Sequence, residues 1–320
     1  MAFFGVGRSG VGVVVVVFAV VMATLLATGC SSDGGNAGAT PAPAVSTMPV
    51  IEAVLPSTLV GAWGLEGPGI PTNTVLTLAA DGNAPPLSIS RAGSVSRSGC
   101  FLYGGWRATT DGLFAGQTYG GSGVCREFAE GAELPSPKVL EQARSFGRVA
   151  GRLVLTAADG SVVATLGPGA TPIPNTGAVP EYSSIPKLTD AARIRLDAPA
   201  KALPNTDPAT ASQIEGSWRP DPQRNPRSVL RFDGATGRWN NSDFCNGTGG
   251  PWALADSDGS FIAVGGVSSL IGCDDDDTPI VQRASYAGFD GDVLVFGDAQ
   301  GKVLRRFVRA PASDSPSPTP

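Results

Sequence analysis

The chain contains no histidine. General acid–base and nucleophilic sites working near neutral pH most often recruit imidazole, so Ser-His-Asp and Cys-His arrangements are excluded. Imidazole metal ligands are excluded with them. No Cys-x-x-Cys spacing occurs either, which argues against a thiolate zinc site. Charged residues make up only 16% of the 320 residues, and no basic stripe interleaves with aromatics. Nucleic acid is therefore not an expected partner. Long helices are also disfavoured, because 43 Gly and 27 Pro punctuate the chain and favour turns and strands.

What the chain does have begins with one long apolar run. Val11 to Met22 is almost wholly apolar, Arg8 supplies a positive flank, and Leu26-Ala27-Thr28-Gly29-Cys30 follows before a small, polar stretch. This is the layout of a secretory signal over residues 1–29. Its Gly-Cys ending resembles a bacterial lipobox, which implies cleavage before a diacylated, palmitate-bearing Cys30 and a protein held on the extracytoplasmic face of the cell membrane. The competing reading is an uncleaved anchor, since the apolar run sits at the short edge of a spanning helix. Removal of the signal takes only Arg8 from the charges and leaves 22 basic against 28 acidic residues, net −6. Residues 30–50 are small, polar and Pro-broken, unable to bury enough apolar surface to offset ordering, and read as a flexible tether reaching roughly 25 Å.

Setting Cys30 aside leaves Cys100, Cys125, Cys245 and Cys273. In an exported protein four thiols suggest two disulfides, with three pairings open. An internal repeat selects among them. Leu59-Val60-Gly61-Ala62-Trp63 corresponds to Ile214-Glu215-Gly216-Ser217-Trp218, and the strand-like run Val75–Gly82 to Val229–Gly234. Cys100, Gly104-Gly105-Trp106 and Asp111-Gly112-Leu113-Phe114 then correspond to Cys245, Gly249-Gly250-Pro251-Trp252 and Asp258-Gly259-Ser260-Phe261. A second cysteine follows in each copy, then a closing hairpin, Gly151–Leu166 and Gly291–Phe307. The repeat predicts Cys100 with Cys125 and Cys245 with Cys273, each closing a loop worth roughly 3.5 kcal/mol in the chain-entropy model.

The expected fold is mainly β: two small antiparallel β-barrel or sandwich domains, 51–167 and 213–310, joined by a Pro-rich linker over 168–212 and followed by a disordered tail, 311–320. The two Trp of each copy are expected as core plugs, with an exposed carbohydrate-stacking platform as the alternative. Ser136–Phe146 predicts one short helix in the first copy, with Val139, Leu140, Ala143 and Phe146 on one face. The equivalent stretch, Pro279–Tyr286, is too short for more than a turn or two. Within the linker, Leu188–Leu196 predicts a short helix or an arm laid on a domain.

The order Gly-x-Trp, strand, Cys, Gly with an aromatic, second Cys and final hairpin resembles the META, or HslJ-like, family. Gly216, Trp218, Cys245, Asn246, Gly250, Trp252, Cys273, Leu294 and Gly301 carry the resemblance in the second copy. Gly61, Trp63, Cys100, Gly105, Trp106, Cys125, Leu153, Leu155 and Gly160 carry it in the first, where Phe101 stands at the place of the Asn. The resemblance implies a compact, lipocalin-like β-barrel for each copy and envelope or stress-linked roles, without a shared catalytic mechanism.

Candidate chemistry is sparse. Asp274-Asp275-Asp276-Asp277 could accept a divalent cation weakly but lacks the Gly and distal Glu of a calcium loop, so a solvated acidic loop is the simpler reading. Glu127 with Glu130, or Asp256 with Asp258, could serve glycoside hydrolysis, although nothing in their spacing singles them out. Asn246-Gly247-Thr248 matches a glycosylation acceptor but in a bacterial lipoprotein reads as a turn. No cofactor is implied. The expected function is non-catalytic: a membrane-anchored binding or envelope-stress module engaging an envelope protein or glycan. The alternatives are an inhibitor or structural envelope protein and, as an outsider, a small carboxylate-based hydrolase.

Overall fold

Short apolar runs separated by Gly-containing turns favour strands over long helices, and the described residues fold mainly as antiparallel β. The computed structural model describes residues 50–80, 86–91, 100–122, 137–173, 184–225, 227–242, 247–266 and 281–311. The first sheet comprises β1 (Gly61–Glu66), β2 (Thr74–Leu78), β3 (Pro86–Arg91), β4 (Cys100–Ala108), β5 (Phe114–Ser122), β6 (Ser145–Val149), β7 (Arg152–Thr156) and β8 (Val162–Gly167). The second comprises β9 (Asp207–Pro208), β10 (Gly216–Asp221), β11 (Val229–Asp233), β12 (Arg238–Ser242), β13 (Gly247–Leu254), β14 (Phe261–Ala263), β15 (Tyr286–Asp290), β16 (Val293–Gly297) and β17 (Val303–Arg309).

The two sheets share one plan. Strand order is β5-β4-β3-β2-β1-β8-β7-β6 in the first and β14-β13-β12-β11-β10-β17-β16-β15-β9 in the second, so β1 to β8 correspond in sequence to β10 to β17. The correspondence extends to individual atoms. Trp63 Nε1 donates to Leu59 O, and Trp218 Nε1 to Ile214 O, both at 2.7 Å. Trp106 stacks on Phe114 at 6.4 Å, as Trp252 does on Phe261 at 6.5 Å. Gly160 and Gly301 both hold φ +79° at the tip of the closing hairpin, a left-handed turn that a Cβ would strain.

Neither sheet closes into a barrel. Among the described residues β5 and β6 meet at one isolated bridge, Leu113 with Ser145, and β14 and β15 at the equivalent one, Ser260 with Tyr286. The barrel part of the expectation is therefore corrected. A closed barrel requires a continuous ladder between end strands, and here β6 spends its other edge on Glu52 while β15 spends its own on β9. These last two pairings are themselves equivalent, and they carry the repeat back to Glu52 and Asp207.

Each sheet wraps its own core. The first core is mostly aliphatic, with Leu59, Leu76, Leu78, Leu87, Leu155 and Leu166 around Trp106. It is plugged by α1 (Pro137–Gln142), whose Val139 and Leu140 are buried together with Ala143 and Phe146 beyond it. The helix is shorter than the sequence predicts. Arg144 N donates to Thr156 O and Phe146 N to Gly112 O, so long-range pairing claims the backbone that would have continued the helix. At the equivalent place the second copy keeps a single 3-10 turn, Val281–Arg283. The second core is aromatic. Phe232 lies 5.4 Å from Trp252 and 6.0 Å from both Phe261 and Phe296. Trp106, Trp218, Trp239 and Trp252 are buried and Trp63 is half-buried, so the tryptophans are core residues rather than an exposed stacking platform.

The connector is tied down at both ends. Its α2 (Asp190–Leu196) starts at Thr189, whose side chain caps Ala192 N at 3.2 Å. Just past the helix, Asp197 accepts from Ser57 N at 2.9 Å and Ser57 Oγ at 2.7 Å, and Arg195 donates to Ala80 O. Further on, Leu203 packs with Tyr286 and Val295 of the second sheet. A four-residue helix, α3 (Ala211–Ile214), then leads into β10. Among the described residues, no helix is long and apolar enough to cross a membrane.

Candidate functional site

The two copies meet through equivalent strands. β4 and β5 of the first pack against β13 and β14 of the second, and the apolar part of the junction is Leu113, Ala115, Ala253, Ile262 and Val264. Register makes Trp106 and Trp252 equivalent, because they pair with Gly116 and Ala263, residues equally placed on β5 and β14. Arg107 therefore corresponds to Ala253, Ala115 to Ile262 and Gln117 to Val264. Each copy presents the same patch to the other, which is the geometry of an isologous, two-fold interface.

Polar contacts fasten it asymmetrically. Arg107, one residue after the buried Trp106, reaches across and donates through Nη1 to Gln282 O at 2.7 Å and Ala284 O at 2.6 Å, and through Nη2 to Ser285 Oγ at 3.1 Å. At the other side of the junction Arg144 donates to Thr236 O at 2.8 Å, and Arg238 pairs with Glu141 at 3.3 Å. Ser260 Oγ donates to Asp111 Oδ2 at 2.7 Å. The Gln117 side chain fits between Gly250 and Gly266, where a Cβ on either glycine would collide with it.

These contacts leave a cavity of about 220 Å³ walled by both copies and the connector. Arg107, Arg195 and Arg283 line it, together with Thr109, Ser285 and Asp298. The Asp298 carboxylate is already committed: Oδ1 accepts from the backbone N–H groups of Gln300 and Lys302, each at 2.9 Å. Desolvation pushes the Arg107 guanidinium down to about 10, with no carboxylate among the described residues acting on it in compensation. Desolvation also lowers Arg144, helped by the neighbouring Arg238 and partly offset by Glu141. The junction thus holds half-buried positive charge satisfied mainly by carbonyl dipoles.

A second hollow, of about 700 Å³, lies where β1 and β2 approach residues 170–173. Its single charged side chain is Glu66, which is paired with Arg152 at 2.6 Å.

Arg107→Met is expected to weaken the junction rather than either core. The substitution strands Gln282 O, Ala284 O and Ser285 Oγ without their donor, a loss of about 3 kcal/mol for charge-assisted bonds of this kind. Differential scanning calorimetry should then resolve two thermal transitions where the unaltered chain shows one.

The residues singled out from sequence fall differently. Cys30, Cys125, Cys245, Cys273, Asn246, Glu127, Glu130 and Asp274, Asp275, Asp276 and Asp277 lie outside the described residues. Cys100 opens β4, with its backbone opposite Arg91. Asp256 Oδ1 accepts from Ala211 N at 2.7 Å, capping α3, and Asp258 Oδ1 accepts from Ser260 N at 2.9 Å. Both carboxylates hold turns rather than facing one another across a cleft. Among the described residues no group of three His, Cys, Asp or Glu could hold a metal ion. Sequence reasoning missed Arg107, Arg195 and Arg283, because they stand far apart in the chain and belong to no motif. The available hint was Arg107 itself, a charge set directly after a core Trp.

No family model, curated protein or solved structure matches this chain.

Proposed function

We propose that this chain is an exported lipoprotein, anchored through Cys30, whose two META-like copies act together as a non-catalytic binding module in the cell envelope. The observation that carries the reading is the junction. Two copies of one fold are locked through equivalent strands, and the lock leaves a walled, arginine-lined cavity instead of a filled core. Ligand sites commonly form between packed bodies of this kind. The duplicated strand order supports the META-like part of the reading. The lipobox-like Leu26–Cys30 supports the anchor.

Two measurements test this. Metabolic labelling with palmitate should place label on the wild-type chain in the membrane fraction, and Cys30→Ser should abolish the label and release the protein. An unlabelled wild type, or a labelled Cys30→Ser variant, removes the lipoprotein reading. Crosslinking on intact cells followed by purification should then capture an envelope component that the released variant does not capture.

A further inference from the structure

We infer that the cavity between the two copies is a binding site for a small oxyanion, a phosphoryl or carboxylate group carried on a molecule smaller than a typical drug-like ligand. The inference deepens the binding-module reading by naming the chemical class the junction would take.

Charge is the first reason. Three guanidinium-bearing residues, Arg107, Arg195 and Arg283, come to one cavity from β4, from α2 and from the turn before β15. They belong to the first copy, the connector and the second copy, so the cationic wall exists only when all three parts are assembled. Among the described residues the one acidic residue lining the cavity is Asp298, and one of its oxygens is occupied by two backbone N–H groups of its own turn. Net positive charge thus faces the cavity.

Unused donors are the second. A guanidinium offers five N–H groups in a planar fork. Arg107 spends three on Gln282 O, Ala284 O and Ser285 Oγ, and Arg195 is held in place by Ala80 O. Arg283 is exposed and makes no hydrogen bond or ion pair among the described residues. The arrangement is one arginine clamped by the second copy, one from the connector held by the first copy and one exposed. Guanidinium forks bind carboxylate and phosphate oxygens in bidentate fashion, which favours oxyanions over halides. A half-buried guanidinium held by carbonyl and hydroxyl oxygens keeps its full charge for an incoming anion, and part of its hydration is already lost.

Size is the third. At about 220 Å³ the cavity falls below the range of drug-sized pockets, roughly 300 to 1,000 Å³, and suits an anion with a small substituent. An occupant touching both copies and the connector would tighten the junction that Arg107 fastens, so binding and rigidity of the pair are coupled.

Isothermal titration calorimetry on the purified full chain tests the site, with inorganic phosphate and succinate as separate probes and chloride balancing ionic strength. The expected result is saturable one-to-one binding of at least one probe; phosphate alone identifies a phosphoryl site, and succinate alone a carboxylate site. Arg283→Gln, which removes no hydrogen bond or ion pair among the described residues, should weaken that binding by roughly tenfold or more, the loss of one charge-assisted interaction. Arg195→Gln should weaken it similarly. Absence of saturable binding by both probes, or equal affinity in wild type and Arg283→Gln, overturns the site. Such a failure leaves the palmitate and crosslinking results untouched, so loss of the anion site and loss of the binding-module reading remain distinguishable.

Discussion

Trp218→Ala should lower the stability of the second copy by about 3 to 5 kcal/mol, the usual cost of deleting a large buried aromatic. Trp218 is 1% exposed, its indole N–H donates to Ile214 O, and Arg309 lies 4.0 Å over its ring. Deletion therefore removes packing, strands a carbonyl at the end of α3 and leaves Arg309 without its aromatic face. In urea the transition should move down by about 1 to 2 M, taking a slope of about 2.5 kcal/mol per molar. Trp63→Ala is the internal control. Trp63 makes the equivalent hydrogen bond to Leu59 O but is only half-buried, so the shift should be clearly smaller. Equal shifts would contradict the burial difference between the copies.

The second large effect is steric. Gly104 lies at the irregularity where β4 slips register against β5, and an added Cβ would overlap Gln117 O and press on Thr118 Cα. Those are backbone atoms of the paired strand and cannot swing aside as a side-chain tip would. Gly104→Ala should cost about 3 kcal/mol or more and displace Gln117, which reaches between Gly250 and Gly266 of the second copy. Gly69→Ala offers the contrast. Its φ is +71°, yet nothing lies within 4 Å of the added carbon, so its cost is confined to the left-handed backbone, about 1 kcal/mol. Chemical denaturation of both variants separates collision from backbone strain. Equal losses would mean that the β4–β5 contact relaxes more easily than its geometry implies.

The duplication was legible because it rests on residues whose chemistry is local. A Gly-x-Trp entry, a Gly at each hairpin tip and a Trp one strand-pairing from a Phe impose the same turns and the same ring contacts wherever they recur, so both copies reached one strand order. The beginnings of the copies were less legible. Glu52 and Asp207 join edge strands through pairings of one or two residues, and stretches that short show no alternation to read. The end of α1 was less legible for a related reason. Ala143 and Phe146 continue the helical apolar pattern, yet Arg144 N and Phe146 N donate to Thr156 O and Gly112 O, distant in sequence.

By itself the sequence determined the mainly antiparallel class, the repeated plan and the absence of imidazole chemistry, because turn preference, strand alternation and residue inventory are properties of short stretches or of composition. Whether each sheet would close, which faces of the copies would meet and which arginines would share a cavity were decided only in three dimensions. Arg107, Arg195 and Arg283 carry no common motif, and what unites them is the docking of β4 and β5 on β13 and β14 with the connector laid alongside. That docking depends on surfaces assembled from residues more than a hundred positions apart, and no local pattern along the chain encodes it.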